Sequence, residues 1–329
     1  MTAKRMTMAN KLDTRWDILK ADPLCAVFQL YDADHTLDFY IGKDTDNQRL
    51  LLLVTPEEPP TIRDMRAISI RTFKRDDGKW SLLLTLVGKS LMPMFSMLCD
   101  DLIEASRNTG LPADKSLSFV LKRLSNWRRL LERGSPDLLS ENEIRGICGE
   151  LLFLLRLFEH LGKSDAVKAW VGPQKADQDF QSPDSAWEVK TIRPGAHAVT
   201  ISSESQLQTT VRPIYLVVFE LADSMADSGD AFTLNTLVDK VRTSLAEDHD
   251  TSELFEESLI TAGYVSRSEY DAPSLVEWSL AIFSVNTCFP RITCEMLAPG
   301  ISHVCYDLLL SACDSFRIAP DTFAKMEDQ

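Results

Sequence analysis

The sequence predicts a mixed fold of the α/β type, α+β overall, in which blocks of strands and helices follow one another. From about residue 24 to 87, short apolar runs are separated by polar turns, as in the strands of an antiparallel sheet. Helical periodicity then continues to Gly162, and strands and helices are mixed beyond it. At 329 residues and 44% hydrophobic, the chain is long enough for two or three such units.

Four strands are expected in the first block. Their sequences are LDFYIG, RLLLLV, AISIRTF and KWSLLLTLV, and the last follows the turn signal DDG. Residues 56–60, PEEPP, form a loop because proline cannot donate hydrogen bonds to a neighbouring strand. The first block is therefore predicted to be a small antiparallel sheet.

Three helices are expected next, at PMFSMLCDDLIEA, KSLSFVLKRLSNWRRLLER and SENEIRGICGELLFLLRLFEHLG. In the third, Ser140 and Glu143 can cap each other's backbone amides, so the helix is expected to begin there and to end at Gly162. The second helix carries a basic cluster, which is either a solvated or salt-bridged face or a phosphate-contacting surface. Its members are Lys122, Arg123, Arg128, Arg129 and Arg133.

After this helix, strands are expected at AVKAWVG, DQDF, SAWEVKTI and AVTIS, then a short polar helix at SSESQLQTT and a strand at PIYLVVFEL. The last of these is apolar almost throughout, which is typical of a strand buried on both faces. Two amphipathic helices, FTLNTLVDKVRTSLAED and TSELFEESLITAGYV, and three strands, WSLAIFSVN, RITCEML and CYDLLLSA, are expected beyond it.

The composition argues against a membrane protein and against a disulfide or zinc framework. No apolar run approaches the roughly 18 residues that span a bilayer, and the first residues lack the apolar block of a signal peptide. We therefore place the chain in the cytoplasm and expect no membrane contact. The seven cysteines include no C-x-x-C pair and the five histidines no H-x-x-x-H pair, so we expect reduced cysteines, mostly in the core.

The net charge of −14 comes entirely from the last third of the chain. Residues 1–219 hold 29 acidic and 29 basic residues, whereas residues 220–329 hold 20 acidic and six basic ones. A polyanion such as DNA could bind a basic face of the first two thirds, while the last third would repel it, meet a basic partner or be solvated. This distribution predicts weak, salt-sensitive binding of any polyanion by the isolated chain.

The stretch WEVKT, residues 187–191, places a carboxylate and an ammonium group on one face of a strand. Because side chains alternate along a strand, Glu188 and Lys190 point one way and Val189 points into the core. If DQDF and SAWEVKTI are neighbouring strands joined by the turn QSPDS, Asp179 lies near Glu188.

Two carboxylates at this spacing suit a hard divalent cation such as Mg²⁺, which completes its coordination with water and phosphate oxygens. A lysine beside them can orient an attacking water and offset the charge that develops on phosphorus. The pattern favours phosphodiester hydrolysis, although Glu and Lys at alternate positions also occur on ordinary exposed strands. Asp177 and Asp184 are alternatives to Asp179, but an aspartate after a proline, as at 184, is common in turns.

Four segments, in this order, resemble the PD-(D/E)XK nuclease superfamily. They are GICGELLFL (146–154), VGPQKADQDF (171–180), WEVKT (187–191) and ISSESQL (201–207). More narrowly, they look like a bacterial family of PD-(D/E)XK proteins from DNA restriction and phage-defence loci, over roughly residues 139–221. The resemblance implies a restriction-endonuclease-like core and a metal-dependent endonuclease that hydrolyses DNA.

Matched residue by residue, the resemblance implies five catalytic residues. The motif acid falls on Asp179, the E-x-K pair on Glu188 and Lys190, the acid of the first core helix on Glu150, and the glutamine after the third strand on Gln206. Asp179, Glu188 and Glu150 would bind Mg²⁺, for which Mn²⁺ could substitute. The chain departs from the motif just before the acid, where glutamine replaces proline.

Two features at the edges of this site have more than one interpretation. Glu150 lies in an otherwise apolar helix, so it is either on the polar stripe of the helix or reaches the site, because an unpaired acid in the core is costly. Ser202 and Ser203 open the expected short helix, where they either cap it or bind a DNA phosphate through unpaired backbone amides.

The implied organisation has three parts. Residues 1–138 form a β unit with helices for specificity or partner docking, residues 139–222 form the PD-(D/E)XK core, and residues 223–329 form an acidic α+β extension packed on the core.

The expected partners are DNA and other proteins of a defence system. One site per chain implies a homodimer or sequential nicking for a double-strand cut. A non-catalytic scaffold subunit and an RNA nuclease remain as alternatives.

Overall fold

The chain forms two compact units, Met1–Pro136 and Asp137–Gln329, which are described separately. The predicted division into three domains stays a prediction. In the described residues, no helix is both long enough and apolar enough to cross a membrane. The computed structural model describes residues 11–65, 68–88, 91–107, 113–132, 138–208, 212–225 and 229–319.

The first unit contains an antiparallel five-stranded sheet and helices. Its strand order is β1-β2-β3-β5-β4, with antiparallel neighbours throughout. The predicted antiparallel sheet is therefore confirmed, with one additional strand at its edge. The elements are α1 (Lys11–Ile18), β1 (Val27–Leu30), β2 (Asp38–Lys43), β3 (Arg49–Thr55), β4 (Ile68–Lys74), β5 (Trp80–Leu86), α2 (Met92–Arg107) and α3 (Ala113–Glu132).

The sequence analysis did not predict α1 and β1. Polar residues prevail in α1, and tertiary contacts stabilise it, because Leu12 and Trp16 are fully buried and Asp13 forms an ion pair with Arg49 of β3. Strand β1 is a four-residue edge strand with three exposed side chains. Segments this short carry too little periodicity to be recognised from sequence.

The second unit contains a five-stranded sheet, a two-stranded sheet and four helices among its described residues. The larger sheet has the order β12-β10-β9-β7-β6, in which β7 and β9 are parallel and the other neighbours antiparallel. Strands β8 and β11 form the smaller sheet. The elements are α4 (Glu141–Leu161), α5 (Lys163–Ala169), β6 (Phe180–Gln181), β7 (Ala186–Ile192), β8 (Ala198–Ile201), β9 (Ile214–Asp223), α6 (Leu234–Leu245), α7 (His249–Thr261), β10 (Leu275–Val285), β11 (Tyr306–Leu309) and β12 (Arg317–Ile318).

The mixed α+β architecture is therefore confirmed, but three local predictions in this unit are wrong. Most of AVKAWVG is helix α5 rather than a strand, because Ala166 and Val167 of one helical turn are buried together. SSESQLQTT forms turns at residues 204–207 instead of a helix, and its last two residues lie outside the described part. RITCEML contains a 3-10 turn at Cys294–Met296 instead of a strand. In such short segments, packing outweighs local propensity.

The two faces of β7 differ as predicted. Trp187 and Val189 lie in a core to which helices α4 to α7 contribute. Ala186 lies on the opposite face, in a second core that includes residues of β8 and β11. By the alternation of side chains, Glu188 and Lys190 belong to this second face. The neighbouring strand β9 is buried on both faces along most of its length, as expected.

Gly149 allows α4 to lie close against β7. A methyl group added at Gly149 would overlap the Thr191 methyl group of β7, whereas one added at Gly146 would meet no atom within 4 Å. Either substitution replaces a helical glycine with alanine, which by helix propensity alone raises the free energy of unfolding by up to about 1 kcal/mol. Gly149→Ala also overpacks the interface, at a cost of about 1–3 kcal/mol.

In chemical denaturation, we therefore expect Gly146→Ala to raise the free energy of unfolding and Gly149→Ala to lower it. The two changes are matched, because both lie on the same helix and add the same methyl group. Equal effects of the two substitutions would contradict the close approach of α4 to β7.

Candidate active site

Strand β7 carries the two charged residues of WEVKT, and β6 brings an aspartate to them. The two strands are antiparallel, with Phe180 opposite Trp187. Asp179 immediately precedes β6, and its Oδ2 accepts a hydrogen bond from the backbone amide of Val189 at 2.8 Å. The expected pairing of these two strands is therefore present, and it holds the Asp179 side chain against β7.

The two competing aspartates lie outside this arrangement. Asp177 and Asp184 are exposed, and Asp184 is in the turn between β6 and β7. Asp179 is half-buried against β7. Of the three aspartates, Asp179 is therefore the one placed to act with the E-x-K pair.

Helix α4 adds a further acid beside Asp179. Trp170, directly after α5, donates a hydrogen bond from Nε1 to Glu150 Oε2 at 2.6 Å. A Cβ atom on Gly172 would lie 2.8 Å from Asp179 Oδ1 and 3.3 Å from Glu150 Oε2, so the two carboxylates face the same point. The backbone amides of Val171 and Gly172 also donate to the Asp179 carbonyl oxygen, at 2.9 and 2.8 Å. The glycine thus leaves room for both acids.

Lys190 lies between an acid and a glutamine. Its Nζ is 2.8 Å from Glu188 Oε1 and donates to Gln206 Oε1 at 3.3 Å. The same oxygen of Gln206 accepts a hydrogen bond from the Ser202 backbone amide at 2.7 Å. The Lys190 side chain is 17% exposed, so it is not fully shielded from solvent.

Burial makes the three acids difficult to ionise together. Burial, followed by repulsion from Asp179, raises the pKa of Glu150 to about 8. Burial also raises the pKa of Asp179, although the Val189 amide and Lys190 oppose it. The pKa of Glu188 lies well above its usual range because of burial and then the charge of Asp179.

Lys190 remains protonated in this environment. Burial disfavours its charged form, but attraction to Glu188, Asp179 and Glu150 outweighs burial and raises its pKa. At neutral pH the side chain is therefore an ammonium group that can donate hydrogen bonds.

Glu188 is buried and has one charged partner. Its side chain is 1% exposed, and Lys190 Nζ pairs with its Oε1 at 2.8 Å. Within the described part of the chain, Oε2 has no hydrogen-bond partner. A carboxylate this buried is costly even when it is paired, and its second oxygen is available to a metal ion.

The chemistry of these donors fits Mg²⁺ held by few protein ligands. Mg²⁺ is usually bound through one or two carboxylates and keeps several waters, and Asp179 and Glu188 can provide that number. Across the described ranges, no group of three or more His, Cys, Asp or Glu side chains is placed to hold a metal ion. Glu150 lies beside Asp179, but its role as a third ligand stays a prediction.

Ser202 and Ser203 do not begin a helix. They precede a turn in which the Gln206 amide donates to the Ser203 carbonyl oxygen at 3.3 Å. The Ser202 amide already donates to the Gln206 side chain, and Ser203 Oγ lies 2.9 Å from Ser205 Oγ. The predicted helix N-terminus is therefore wrong, and contact of the two serines with DNA stays a prediction.

The basic cluster on α3 belongs to the first unit, and one of its members is fully engaged. Arg123 is 6% exposed and donates two hydrogen bonds to Asp101 of α2, at 2.6 and 2.5 Å. Trp127 Nε1 donates to the same carboxylate at 2.7 Å. Arg123 is therefore salt-bridged within the first unit, and its contact with DNA stays a prediction.

The other members of the cluster remain candidates for phosphate contact. Lys122 is exposed, and Arg128 is half-buried and donates to the backbone oxygen of Arg63. The side chain of Arg129 and the whole of Arg133 lie outside the described residues. Their contact with DNA stays a prediction.

Three residues of the site were not predicted to belong to it: Trp170, Gly172 and Gln178. Trp170 was assigned to a strand, and the other two lie in VGPQKADQDF, which was considered for its acids. The available signals were a tryptophan and a glycine shortly before the motif acid, and a glutamine in place of its proline. Their partners are distant in sequence, so periodicity could not identify them.

A comparison with protein families agrees with this geometry. A family described as "Putative PD-(D/E)XK family member, (DUF4420)" matches residues 12–311, which include most of both units. No curated protein and no solved structure matches the chain. The resemblance to PD-(D/E)XK proteins is thereby confirmed, and the chain belongs to the DUF4420 family.

Proposed function

We propose that this chain is a divalent-metal-dependent endonuclease that hydrolyses phosphodiester bonds of DNA in the bacterial cytoplasm. The observation that carries the proposal is the buried carboxylate of Glu188, which pairs with Lys190 and whose pKa is raised by burial and by the neighbouring acids Asp179 and Glu150. Buried charges of this kind lower the stability of a fold. A scaffold protein would have no use for them, whereas a metal-dependent hydrolase would.

Asp179 and Glu188 would hold the metal ion, with Glu150 beside them. Mg²⁺ bound by these residues would polarise a phosphoryl oxygen and lower the pKa of a bound water. The protein itself supplies the buried pocket, in which the backbone amide of Val189 orients Asp179 and the indole of Trp170 orients Glu150. Such supporting hydrogen bonds set the direction of a metal ligand and its basicity.

Lys190 would act on the reacting groups. Its side chain is partly exposed, and its ammonium group would donate hydrogen bonds to the attacking water and to a phosphate oxygen, where it would offset the developing negative charge. Because its pKa is raised, it works as a charge and a donor rather than as a general base. Gln206 accepts one of its hydrogen bonds and so restricts the direction of the ammonium group.

DNA as the substrate, and a role in restriction or phage defence, follow from the family resemblance. The charge distribution supports a dependence on other components, because the first 219 residues are neutral and the acidic last third would repel DNA. We therefore expect another protein of the defence system to deliver the DNA, and weak DNA binding by the chain alone.

The proposal is tested by incubating the purified full-length chain with supercoiled DNA, linear DNA and RNA of matched sequence, in Mg²⁺, Mn²⁺ or EDTA. We expect nicking or linearisation of DNA with either metal, and none in EDTA or with Asp179→Asn. Asp177→Asn is the matched control, because this neighbouring carboxylate is exposed. Cleavage of RNA alone would identify an RNA nuclease. Absence of both cleavage and metal binding would favour the scaffold alternative.

Gly172→Ala is expected to weaken the binding of divalent metal by about 10-fold to 100-fold, in line with other residues that support metal ligands. The added methyl group would lie 2.8 Å from Asp179 Oδ1 and 3.1 Å from its Cα, so the carboxylate would have to move. Calorimetric titration with Mn²⁺ measures the affinity, with Gly146→Ala as the control glycine substitution. An unchanged affinity would show that Asp179 can shift without affecting the metal.

A further inference from the structure

The segment that presents Gln206 to Lys190 has no regular secondary structure. Residues 202–208 contain two backbone hydrogen bonds of turn type, from Gln206 to Ser203 at 3.3 Å and from Gln208 to Ser205 at 3.0 Å. Two such bonds do little to restrain a surface loop. The Ser202 amide also donates to Gln206 Oε1 and fixes this side chain to the segment, so its position relative to Lys190 depends on how the segment is held from outside.

Gln178 makes such contacts from the segment just before β6, next to the motif acid. The residue is 6% exposed, and Nε2 lies within hydrogen-bond distance of three carbonyl oxygens of the loop. These belong to Ser205 at 3.1 Å, Gln206 at 3.3 Å and Gln208 at 3.4 Å. Its Oε1 accepts a hydrogen bond from Gln181 of β6 at 3.1 Å. One buried amide group is thus held by Gln181 and donates into the loop on both sides of Gln206.

The loop is also held elsewhere, because Leu207 is fully buried and its carbonyl oxygen accepts a hydrogen bond from Arg291. The Glu204 carboxylate accepts hydrogen bonds from the backbone amides of His303 and Val304, at 3.1 and 2.8 Å. The Gln208 side chain accepts one from the Cys294 amide at 2.8 Å. Removal of the Gln178 amide would therefore loosen the middle of the loop without detaching it from the protein.

We propose that Gln178 is a positioning residue that couples Asp179 to Gln206. The side-chain amide of Gln178 links the backbone before Asp179 to the loop that carries Gln206, so that the two move together. Lys190, which donates to Gln206, then keeps a constant direction relative to Asp179. Its effect on catalysis rests on the proposed nuclease function, whereas its effect on the loop does not. The glutamine also accounts for the departure from the motif, because a proline at this position could not donate to the loop.

Amide hydrogen exchange of Gln178→Leu tests the structural half of this inference. Leucine has a side chain of similar size but lacks the amide group that donates to the loop. We expect exchange at least about 10-fold faster at Ser202 and Gln208, because the hydrogen bonds of these amides depend on the loop. Amides of β7 should be unchanged. Gln174→Leu is the matched control, since the Gln174 amide contacts Ser258 and not the loop. Unchanged loop exchange in Gln178→Leu would overturn the inference whatever the activity.

A double-mutant cycle with Gln206→Ala tests the catalytic half. We expect Gln178→Leu to lower kcat about 10-fold with little change in KM. If Gln178 acts through Gln206, the double variant is no slower than Gln206→Ala alone. Multiplicative losses would overturn the coupling. If the wild-type chain cleaves nothing with any metal, the proposed function fails, and the exchange result alone then decides the inference about the loop.

Discussion

Lys190→Ala is expected to lower the rate of metal-dependent DNA cleavage by about 10²-fold to 10³-fold, the range found when one preorganised donor to a transition state is removed. The ammonium group lies 2.8 Å from Glu188 Oε1 and 3.3 Å from Gln206 Oε1, so both neighbours hold it in one place. Its loss removes the positive charge that would face the phosphate. The measurement is the single-turnover rate of nicking of supercoiled DNA with Mg²⁺.

Two controls separate this loss from a change in folding. Lys168→Ala removes an exposed lysine that pairs with Asp165 at 3.2 Å, a kind of contact that contributes little to stability, and it should cleave at the wild-type rate. Lys190→Ala leaves Glu188 buried without its cation, so its thermal unfolding must be measured and the assay run below that transition. A folded Lys190→Ala variant that cleaves like the wild type would contradict the assignment.

Glu188→Gln is expected to stabilise the metal-free protein while abolishing its stabilisation by Mg²⁺. At neutral pH, the buried Glu188 carboxylate must either be desolvated as an anion or take up a proton, and glutamine avoids both costs. The amide oxygen of glutamine can still accept a hydrogen bond from Lys190, so we expect a higher free energy of unfolding for Glu188→Gln than for the wild type in EDTA. The wild type should gain about 2.7 kcal/mol at a metal concentration 100-fold above its Kd.

The free energy of unfolding of the metal-free protein is expected to fall as the pH rises. The folded protein binds protons at Glu150, Asp179 and Glu188 more tightly than the unfolded chain does, because all three pKa values are raised. Proton binding by these groups stabilises the folded protein fully at pH values below the pKa values of the unfolded chain. For Glu150, this stabilisation is lost as the pH rises from 4.5 to about 8. The pKa of Lys190 is raised above 10.5, so this residue adds no slope in that range.

Thermal unfolding in EDTA between pH 5 and 8 checks this expectation, and repetition with Mg²⁺ checks the role of the metal. In EDTA, the transition of the wild type should fall as the pH rises, and it should fall less for Glu188→Gln. Mg²⁺ should raise the transition of the wild type most at the upper end of the range. Glu256→Gln is a useful comparison, because this acid pairs with Arg242 away from the site. Equal Mg²⁺ stabilisation of the wild type and Glu188→Gln would exclude Glu188 as a ligand.

Much of the fold could be predicted because long segments repeat their apolar residues with one clear period. The alternation in WEVKT indicated a strand with Val189 in the core, and the 21 residues of α4 were marked by helical periodicity and by the capping pair at its start. Predictions failed in short segments. Helix α5 has seven residues and was assigned to a strand, because so short a segment does not show a full helical pattern.

The sequence by itself determined which groups the site contains: two acids and a lysine around a strand pair, because strand alternation and a short connecting turn bring them together. Only the tertiary structure decided that Trp170 orients Glu150, that Gly172 leaves room for two carboxylates, and that Gln178 holds the loop of Gln206. It also decided that Glu188 is 1% exposed and pairs with Lys190. The physical reason is that local periodicity orients side chains within one element, whereas these properties depend on contacts between elements that are separate in sequence.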